Sequence, residues 1–335
     1  MCNNKLFTLF FLSFILLFAC QRKPVEKSGT AADAQEDGKL PLVVTTIGPY
    51  KFLLGELGGN SIEVLNTSET SGDPHTVDLT PQQAWKLKDA DIFLSLNPEE
   101  ESLLLKSLGD RTKIVEMWHG FPLLSPAHRH DKDGHDDDHK DEHHDDHKDE
   151  HDDDHDDGHH DEHDDEHDDR QETEGWNEHF WLNPTILKIQ IETMAKELTI
   201  LVPENREQIE ANKLKLLQDC ENLAEQLRVS LPELQNGKIF SFHSALSYFA
   251  NFFDAKEVYI ESQGIEMGAD EILHLFEEVE DLTYPVLIYS PQFQQEKAKS
   301  LAHQLKLELL EFDPQIPDVF TNIANLAEQL SKARN

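Results

Sequence analysis

Basic residues and cysteines are scarce in this chain of 335 residues. It carries 29 Lys and Arg against 67 Asp and Glu, a formal charge of −38 at pH 7. Without a basic surface to neutralise phosphates, we expect no nucleic-acid partner. The three cysteines are Cys2, Cys20 and Cys220. We expect Cys2 to be removed with a signal peptide and Cys20 to be lipidated, which leaves Cys220 as the only free thiol. A disulfide framework is therefore excluded, and the helical pattern around Cys220 predicts a small core residue.

Long apolar runs are also missing. The longest, LFTLFFLSFILLFA at residues 6–19, follows Lys5 and is too short for a comfortable membrane span. It predicts a signal peptide over residues 1–19. Residues 17–20, Leu-Phe-Ala-Cys, resemble a bacterial lipoprotein cleavage box, so we expect Cys20 to be lipidated. A plain secretory signal is the alternative. Polar residues 20–40 then suit a flexible tether, and we expect an extracytoplasmic protein, periplasmic or at the cell surface, anchored to a membrane.

What the sequence has in excess is an acidic, histidine-rich run. Residues 131–169 hold 23 Asp and Glu and three Lys, so −20 of the formal charge belongs to this segment. It has no apolar residues to bury, which predicts a disordered loop over residues 128–170. Metal ions should bind there more weakly than at an ordered site, because each binding event must order the chain; a merely solvating loop is the alternative. The auxiliary metal-binding candidates are His135, His139, His143, His144, His147, His151, His155, His159, His160, His163 and His167.

Outside this run, strand-like and helix-like segments alternate in two sets. The pattern predicts an α/β fold with two similar lobes, mainly parallel sheets and a long helix between them. The N-terminal lobe spans residues 41–203, the linking helix 204–236 and the C-terminal lobe 237–335. Strands are expected at 42–47, 61–66, 91–96, 113–117, 238–242, 257–262, 286–290 and 307–312, and helices at 49–59, 80–90, 100–108, 185–203, 205–234, 244–253, 269–282, 293–305 and 319–333.

Four residues of types that bind metals fall at the carboxyl ends of predicted strands or in adjoining loops. They are His75, His179, His243 and Asp313, two from each lobe. Ligands of open α/β sheets bind beyond the carboxyl ends of strands, and three imidazoles with one carboxylate suit tetrahedral Zn²⁺. Each residue alone could instead serve a turn, the core or a helix cap. The remaining histidines outside the run, which receive no role, are His119, His274 and His303.

Several motifs occur in an order that resembles one family. They are TIGPY, DPHTVDLTPQQAWKLKDADIF, NEHFWLNP, FHSALSYFANFF, YSPQF and EFDP. The chain is similar to the metal-binding lipoproteins and periplasmic proteins of zinc and manganese ABC importers, most of all to the zinc type called ZnuA-like. The resemblance implies two lobes joined by a rigid helix, with a metal in the cleft between them. It also implies that His75, His179 and His243 are ligands and that Asp313 completes the set, with a neighbouring acid such as Glu178, or water, as the alternative.

The function implied is high-affinity capture of Zn²⁺ and its delivery to an ABC permease, by a protein that we expect to be a monomer. Manganese relatives tend to replace the third histidine with a carboxylate, so His243 favours zinc as the transported ion, with Mn²⁺ or another divalent metal as the alternative. A surface adhesin or metal-buffering lipoprotein is a further alternative. We expect no enzyme, because the sequence has no His-Glu-x-x-His motif and four protein ligands would leave no open coordination position.

Overall fold

The computed structural model describes residues 39–70, 79–124, 176–262, 265–266, 275, 279–280, 282–292 and 294–333. The predictions for the signal peptide, Cys20, His75, His274 and the histidine-rich run lie outside these residues, as does most of the predicted helix at 269–282. Within the described ranges, no helix combines the length and the apolar character needed to cross a membrane.

The first sheet contains four parallel strands in the order β2-β1-β3-β4. These are β1 (Leu42–Thr45), β2 (Glu63–Asn66), β3 (Ile92–Ser95) and β4 (Lys113–Glu116), and their connections include α1 (Gly48–Gly58), α2 (Pro81–Leu87) and α3 (Ser102–Leu105).

Local sequence explains where α2 begins. Thr80 accepts a hydrogen bond from the backbone N–H of Gln83, whose side chain reaches back to the backbone N–H of Thr80. Pro81 follows at the first helical position, where its missing N–H costs nothing. The helix predicted over residues 80–90 is confirmed, with Thr80 as its N-cap.

Two long helices lie between the two sheets along the chain: α4 (Pro184–Leu201) and α5 (Arg206–Ser230). With 25 residues, α5 is roughly 37 Å long at 1.5 Å per residue. It packs against α4, against α1 and against α8 (Val319–Lys332), the last helix of the C-terminal lobe. Cys220 on α5 is fully buried in the core, as predicted.

The second sheet has five strands in the order β7-β6-β5-β8-β9. Four of them are parallel, and the two-residue edge strand β7, which the sequence pattern did not predict, is antiparallel. The strands of this sheet and the helices that follow them are β5 (Lys238–His243), α6 (Ser247–Asn251), β6 (Lys256–Ser262), β7 (Ile265–Glu266), β8 (Val286–Tyr289), α7 (Gln295–Leu305), β9 (Glu308–Glu311) and α8.

Alternating side chains bury both faces of each sheet. Along β1, Val43 belongs to a core that continues into the C-terminal lobe, whereas Leu42 and Val44 belong to a separate cluster on the opposite face. Likewise, Ile239 of β5 faces the shared core and Phe240 the outer cluster. Because helices cover both faces of a parallel sheet, its functional groups collect at the strand ends.

Candidate metal site

His243 is the last residue of β5, in the middle of the second sheet. Its side chain is buried, and the parallel register places it opposite Glu261 of β6. The Nδ1 atom of His243 lies 2.6 Å from Oε2 of Glu261, which is also buried. The strand end therefore presents an imidazole whose orientation is fixed by a neighbouring carboxylate.

His179 begins a short 3-10 turn, His179–Leu182, in the connection that leads into α4. It is buried, and its ring lies 5.1 Å from that of Trp181, centroid to centroid. The turn is held at its far end by Asn183, whose side chain accepts hydrogen bonds from the backbone N–H groups of Thr185 and Ile186 and caps α4. The position of His179 is thus set by a capped helix on one side and aromatic packing on the other.

The two imidazoles meet across the lobes. Their ring centroids are 5.6 Å apart with an interplanar angle of 74°. His179 comes from the loop that precedes α4, and His243 is the last residue of β5, one residue beyond the predicted end of that strand. Each neutral imidazole offers one nitrogen lone pair, so these two buried rings are candidate ligands of one cation.

Asn177 links the segments that carry the two rings. Its Oδ1 atom accepts a hydrogen bond from the backbone N–H of His179 at 2.9 Å and lies 3.1 Å from Nδ1 of the same residue. Its Nδ2 atom donates to the backbone carbonyl of Ser244, next to His243, at 2.7 Å. Sequence analysis did not single out Asn177 or Glu261; the hint was that Asn177 lies two residues before a candidate ligand, whereas the partner of Glu261 depends on strand register.

Asp313 follows β9 and is partly buried. Its Oδ1 atom accepts a hydrogen bond from the backbone N–H of Gln315 at 2.8 Å, which closes a local turn. The next residue, Pro314, accepts a hydrogen bond from Trp181 at 3.2 Å, so this loop borders the residues around His179. Among the described residues, no three His, Cys, Asp or Glu side chains lie close enough together to hold a metal ion, so Asp313 does not form such a group with the two histidines.

Other acidic and aromatic groups shape the electrostatics near the turn. Glu178 is buried, and its negative charge acts on Tyr248. The pKa of Tyr248 is raised to about 12, chiefly by burial, while the backbone N–H of Leu124, which donates to the phenolic oxygen, opposes this shift. Burial also raises the pKa of Glu257, beneath the turn that follows His243. The site is therefore a largely dry region in which charge is costly unless it is paired.

Two histidines without an assigned role behave as surface residues. His119 is exposed and lies 2.6 Å from the carboxylate of Glu116, and His303 is exposed on α7. Of the four predicted ligands, the structure brings His179 and His243 together, leaves Asp313 in a neighbouring turn and does not describe His75.

Comparison with known proteins assigns the chain to a family. A model described as zinc-uptake complex component A, periplasmic, matches residues 43–319. The chain belongs to the ZnuA family. Its members are solute-binding proteins that serve metal uptake, not enzymes, and the chain is accordingly a periplasmic-type metal-binding protein of ABC importers.

Individual relatives agree with this assignment. The high-affinity zinc uptake system protein ZnuA of Brucella abortus is 31% identical over 272 residues, covering 78% of this chain and 81% of the relative. A crystal structure of a zinc-bound ZnuA deletion mutant superposes with a TM-score of 0.69 at 23% identity, covering 89% of this chain and 99% of that one. A manganese-bound mutant of a periplasmic metal-binding protein from Candidatus Liberibacter asiaticus has a TM-score of 0.65 at 16% identity, covering 87% and 98%. These structures support the two-lobe fold, and different metals occupy them.

Proposed function

We propose that this protein captures Zn²⁺ outside the cytoplasm and delivers it to an ABC permease. The observation that carries the proposal is the meeting of His179 and His243, two buried imidazoles from different lobes, 5.6 Å apart between ring centroids. His75 is proposed as the third ligand, and Asp313, Glu178 or water as the fourth. The family assignment supports the general role, and the high-affinity zinc uptake protein of Brucella abortus supports the choice of ion.

The donor set is the physical reason for preferring zinc. Imidazole nitrogen is a borderline ligand that suits Zn²⁺, whereas Mn²⁺ prefers harder oxygen donors. A site with three imidazoles and at most one carboxylate therefore favours zinc. The manganese-bound relative makes Mn²⁺ the competing ion to test.

Delivery requires the protein to distinguish its loaded and empty forms. A cation held by residues of both lobes favours the arrangement in which the lobes are close, in proportion to its differential affinity for that form. The permease would then recognise the loaded form at the outer face of the membrane and release the ion as the lobes part. No covalent bond of the cargo is made or broken in this cycle.

The histidine-rich run at residues 128–170 is proposed as an auxiliary store. Its 11 histidines between His135 and His167 offer many weak sites beside one tight site. It would collect zinc when the ion is scarce, or buffer it when plentiful, and exchange it with the site between the lobes. Lipidation at Cys20, after removal of residues 1–19, would keep the protein at the membrane beside its permease, where we expect it to act as a monomer.

Zinc uptake in a strain that lacks the gene tests the proposal. Cells would be complemented with the unaltered chain, His179→Ala, His243→Ala or, as a matched control, His303→Ala on the exposed face of α7. Radioactive zinc uptake at limiting concentration should be restored by the unaltered chain and the control and lost with the first two variants. Unlabelled Mn²⁺ should compete poorly.

Two results would count against this account. Full uptake with both cleft variants would remove zinc delivery by this site as the function, and strong competition by Mn²⁺ would reassign the cargo. A chain without residues 128–170 tests the run separately: unchanged uptake at limiting zinc would refute the capture role. Replacing Cys20 with Ser should release the protein from the membrane fraction if the cysteine carries the anchor.

A further inference from the structure

The Nδ1 atoms of His179 and His243 both face an oxygen of a buried neighbour. For His243 this is a carboxylate oxygen of Glu261 at 2.6 Å, and for His179 it is the side-chain oxygen of Asn177 at 3.1 Å. Both neighbours are among the buried polar residues of the core, so neither contact is a chance meeting of mobile surface groups.

The orientation of the Asn177 amide follows from its other contacts. One end lies 2.7 Å from the backbone carbonyl of Ser244, which can only accept, so this end must be the NH₂ group. The other end lies 2.9 Å from the backbone N–H of His179, which can only donate, so this end must be the oxygen. Two independent contacts therefore establish that an acceptor faces Nδ1 of His179.

A ring nitrogen that faces an obligatory acceptor carries the proton. Since a neutral imidazole has one protonated nitrogen, the lone pair of each ring then lies on Nε2. We infer that Asn177 and Glu261 are positioning residues, which hold His179 and His243 in the Nδ1–H tautomer and present Nε2 of each ring to the metal. The inference deepens the proposed function and rests on it for the identity of the ligand.

The two positioning residues differ in what else they contribute. Glu261 is a carboxylate held opposite His243 by the β5–β6 register, and a carboxylate partner increases the electron density on the ring and strengthens its donor nitrogen. Asn177 is neutral, but its amide also ties the loop of His179 to the residue after His243. It therefore sets the separation between the two donor atoms as well as the tautomer of one ring.

Tautomers can be read directly from the metal-free protein. Long-range proton–nitrogen NMR spectra would be recorded at about pH 8, where ordinary histidines are neutral, and His179 and His243 would be identified by replacing each with Gln. Both should show the Nδ1–H pattern. Asn177→Ala should mix the tautomers of His179 and leave His243 unchanged, and Glu261→Ala should do the reverse. Asn177→Asp and Glu261→Gln, which keep an oxygen acceptor, should restore the pattern.

Zinc affinity provides the second readout. Competition with a chelator on the whole chain downstream of the proposed signal peptide should show that each alanine variant weakens the tightest site by roughly 10- to 100-fold. The conservative variants should recover part of the loss. Asn212→Ala is the matched control, because Asn212 on α5 also donates a side-chain hydrogen bond to a backbone carbonyl, that of Leu57, while its side-chain oxygen accepts from Gln208 and not from a ring nitrogen. This variant should change neither the tautomers nor the zinc affinity of the folded protein.

The outcomes separate this inference from the proposed function. An Nε2–H pattern for either ring in the unaltered protein overturns the positioning roles even if zinc binds tightly. Unchanged tautomers and affinities in both alanine variants overturn them as well. If both rings show the Nδ1–H pattern and respond to the variants as expected but no tight zinc site exists, the positioning stands and the proposed function fails.

Discussion

A buried glutamate just before α3, whose carboxylate lies against the end of β3, makes the stability of the protein depend on pH. Glu101 accepts hydrogen bonds from the hydroxyls of Ser95 and Thr46 and from the backbone N–H of Leu96, yet only 4% of its surface is exposed. Burial outweighs these hydrogen bonds and raises its pKa from 4.5 to about 7. Replacement by Gln removes the charge while keeping the size of the side chain.

The sign of the effect follows from this raised pKa. The native state binds the proton of Glu101 more tightly than the unfolded state, so the stabilisation is complete below pH 4.5 and is lost as the pH rises to about 7. A tenfold change in proton affinity is worth about 1.4 kcal/mol, and the full loss is therefore about 3 kcal/mol. The free energy of unfolding of Glu101→Gln should rise by this amount relative to that of the unaltered protein, with most of the rise between about pH 5 and pH 8.

Urea unfolding followed by tryptophan fluorescence would measure the free energy at several pH values, with a chelator present so that metal binding does not contribute. The difference between the variant and the unaltered chain isolates Glu101, because the other titrating groups are common to both. Glu99→Gln, an exposed position two residues away, is the control and should show no such pH dependence. A constant difference between Glu101→Gln and the unaltered chain across this range would refute the reasoning.

Three other predictions concern stability and reactivity. Asn183→Ala should lower the free energy of unfolding, measured in urea, by about 1 kcal/mol because it removes the cap of α4. Asn205→Ala, at the N-cap of α5 where the side chain makes no capping hydrogen bond, should lower it by less. Equal losses would contradict the cap assignment. Gly48→Ala should lower the melting temperature, since an added Cβ would lie 2.2 Å from the carbonyl oxygen of Gln315. Gly55→Ala in the same helix meets nothing within 4 Å and should be neutral or stabilising. The reverse order of melting temperatures would show that the contact with Gln315 is unimportant. Cys220, whose pKa burial raises to about 12, should resist thiol reagents in the native protein and react after unfolding, and rapid native labelling would show that the core opens there.

Hydrophobic periodicity predicted most of the fold because each lobe buries both faces of its sheet. Runs such as LVVT at β1 and VLIY at β8 are apolar throughout, which is typical of strands covered on both sides. The exceptions are local. The helix expected over residues 244–253 begins only at Ser247, because Glu257 holds the backbone N–H of Leu246 at 2.8 Å and shapes the preceding turn. The two-residue strand β7 is too short to leave a pattern.

The site was predictable to the extent that it depends on position along a strand. His243 could be selected because it follows a predicted strand, and His179 because it lies in a loop that leads into a predicted helix. Their partners could not, because the contact between His243 and Glu261 depends on the register of two parallel strands, and that between Asn177 and Ser244 joins residues 67 positions apart. Asp313 could be selected from its residue type and its place after a predicted strand, but the turn that its carboxylate closes with Gln315 is visible only in the structure.

The central claim is that one tight zinc site lies between the lobes and uses His243. The most direct test is to measure zinc affinity and stoichiometry by chelator competition on the chain without residues 128–170, alone and with His243→Ala or the surface control His303→Ala. The account predicts one tight site that survives the deletion and the control but weakens with His243→Ala by more than roughly 100-fold, the upper range for losing only an outer partner of a ligand. Loss of tight binding on deletion of the run, or unchanged affinity with His243→Ala, would contradict it.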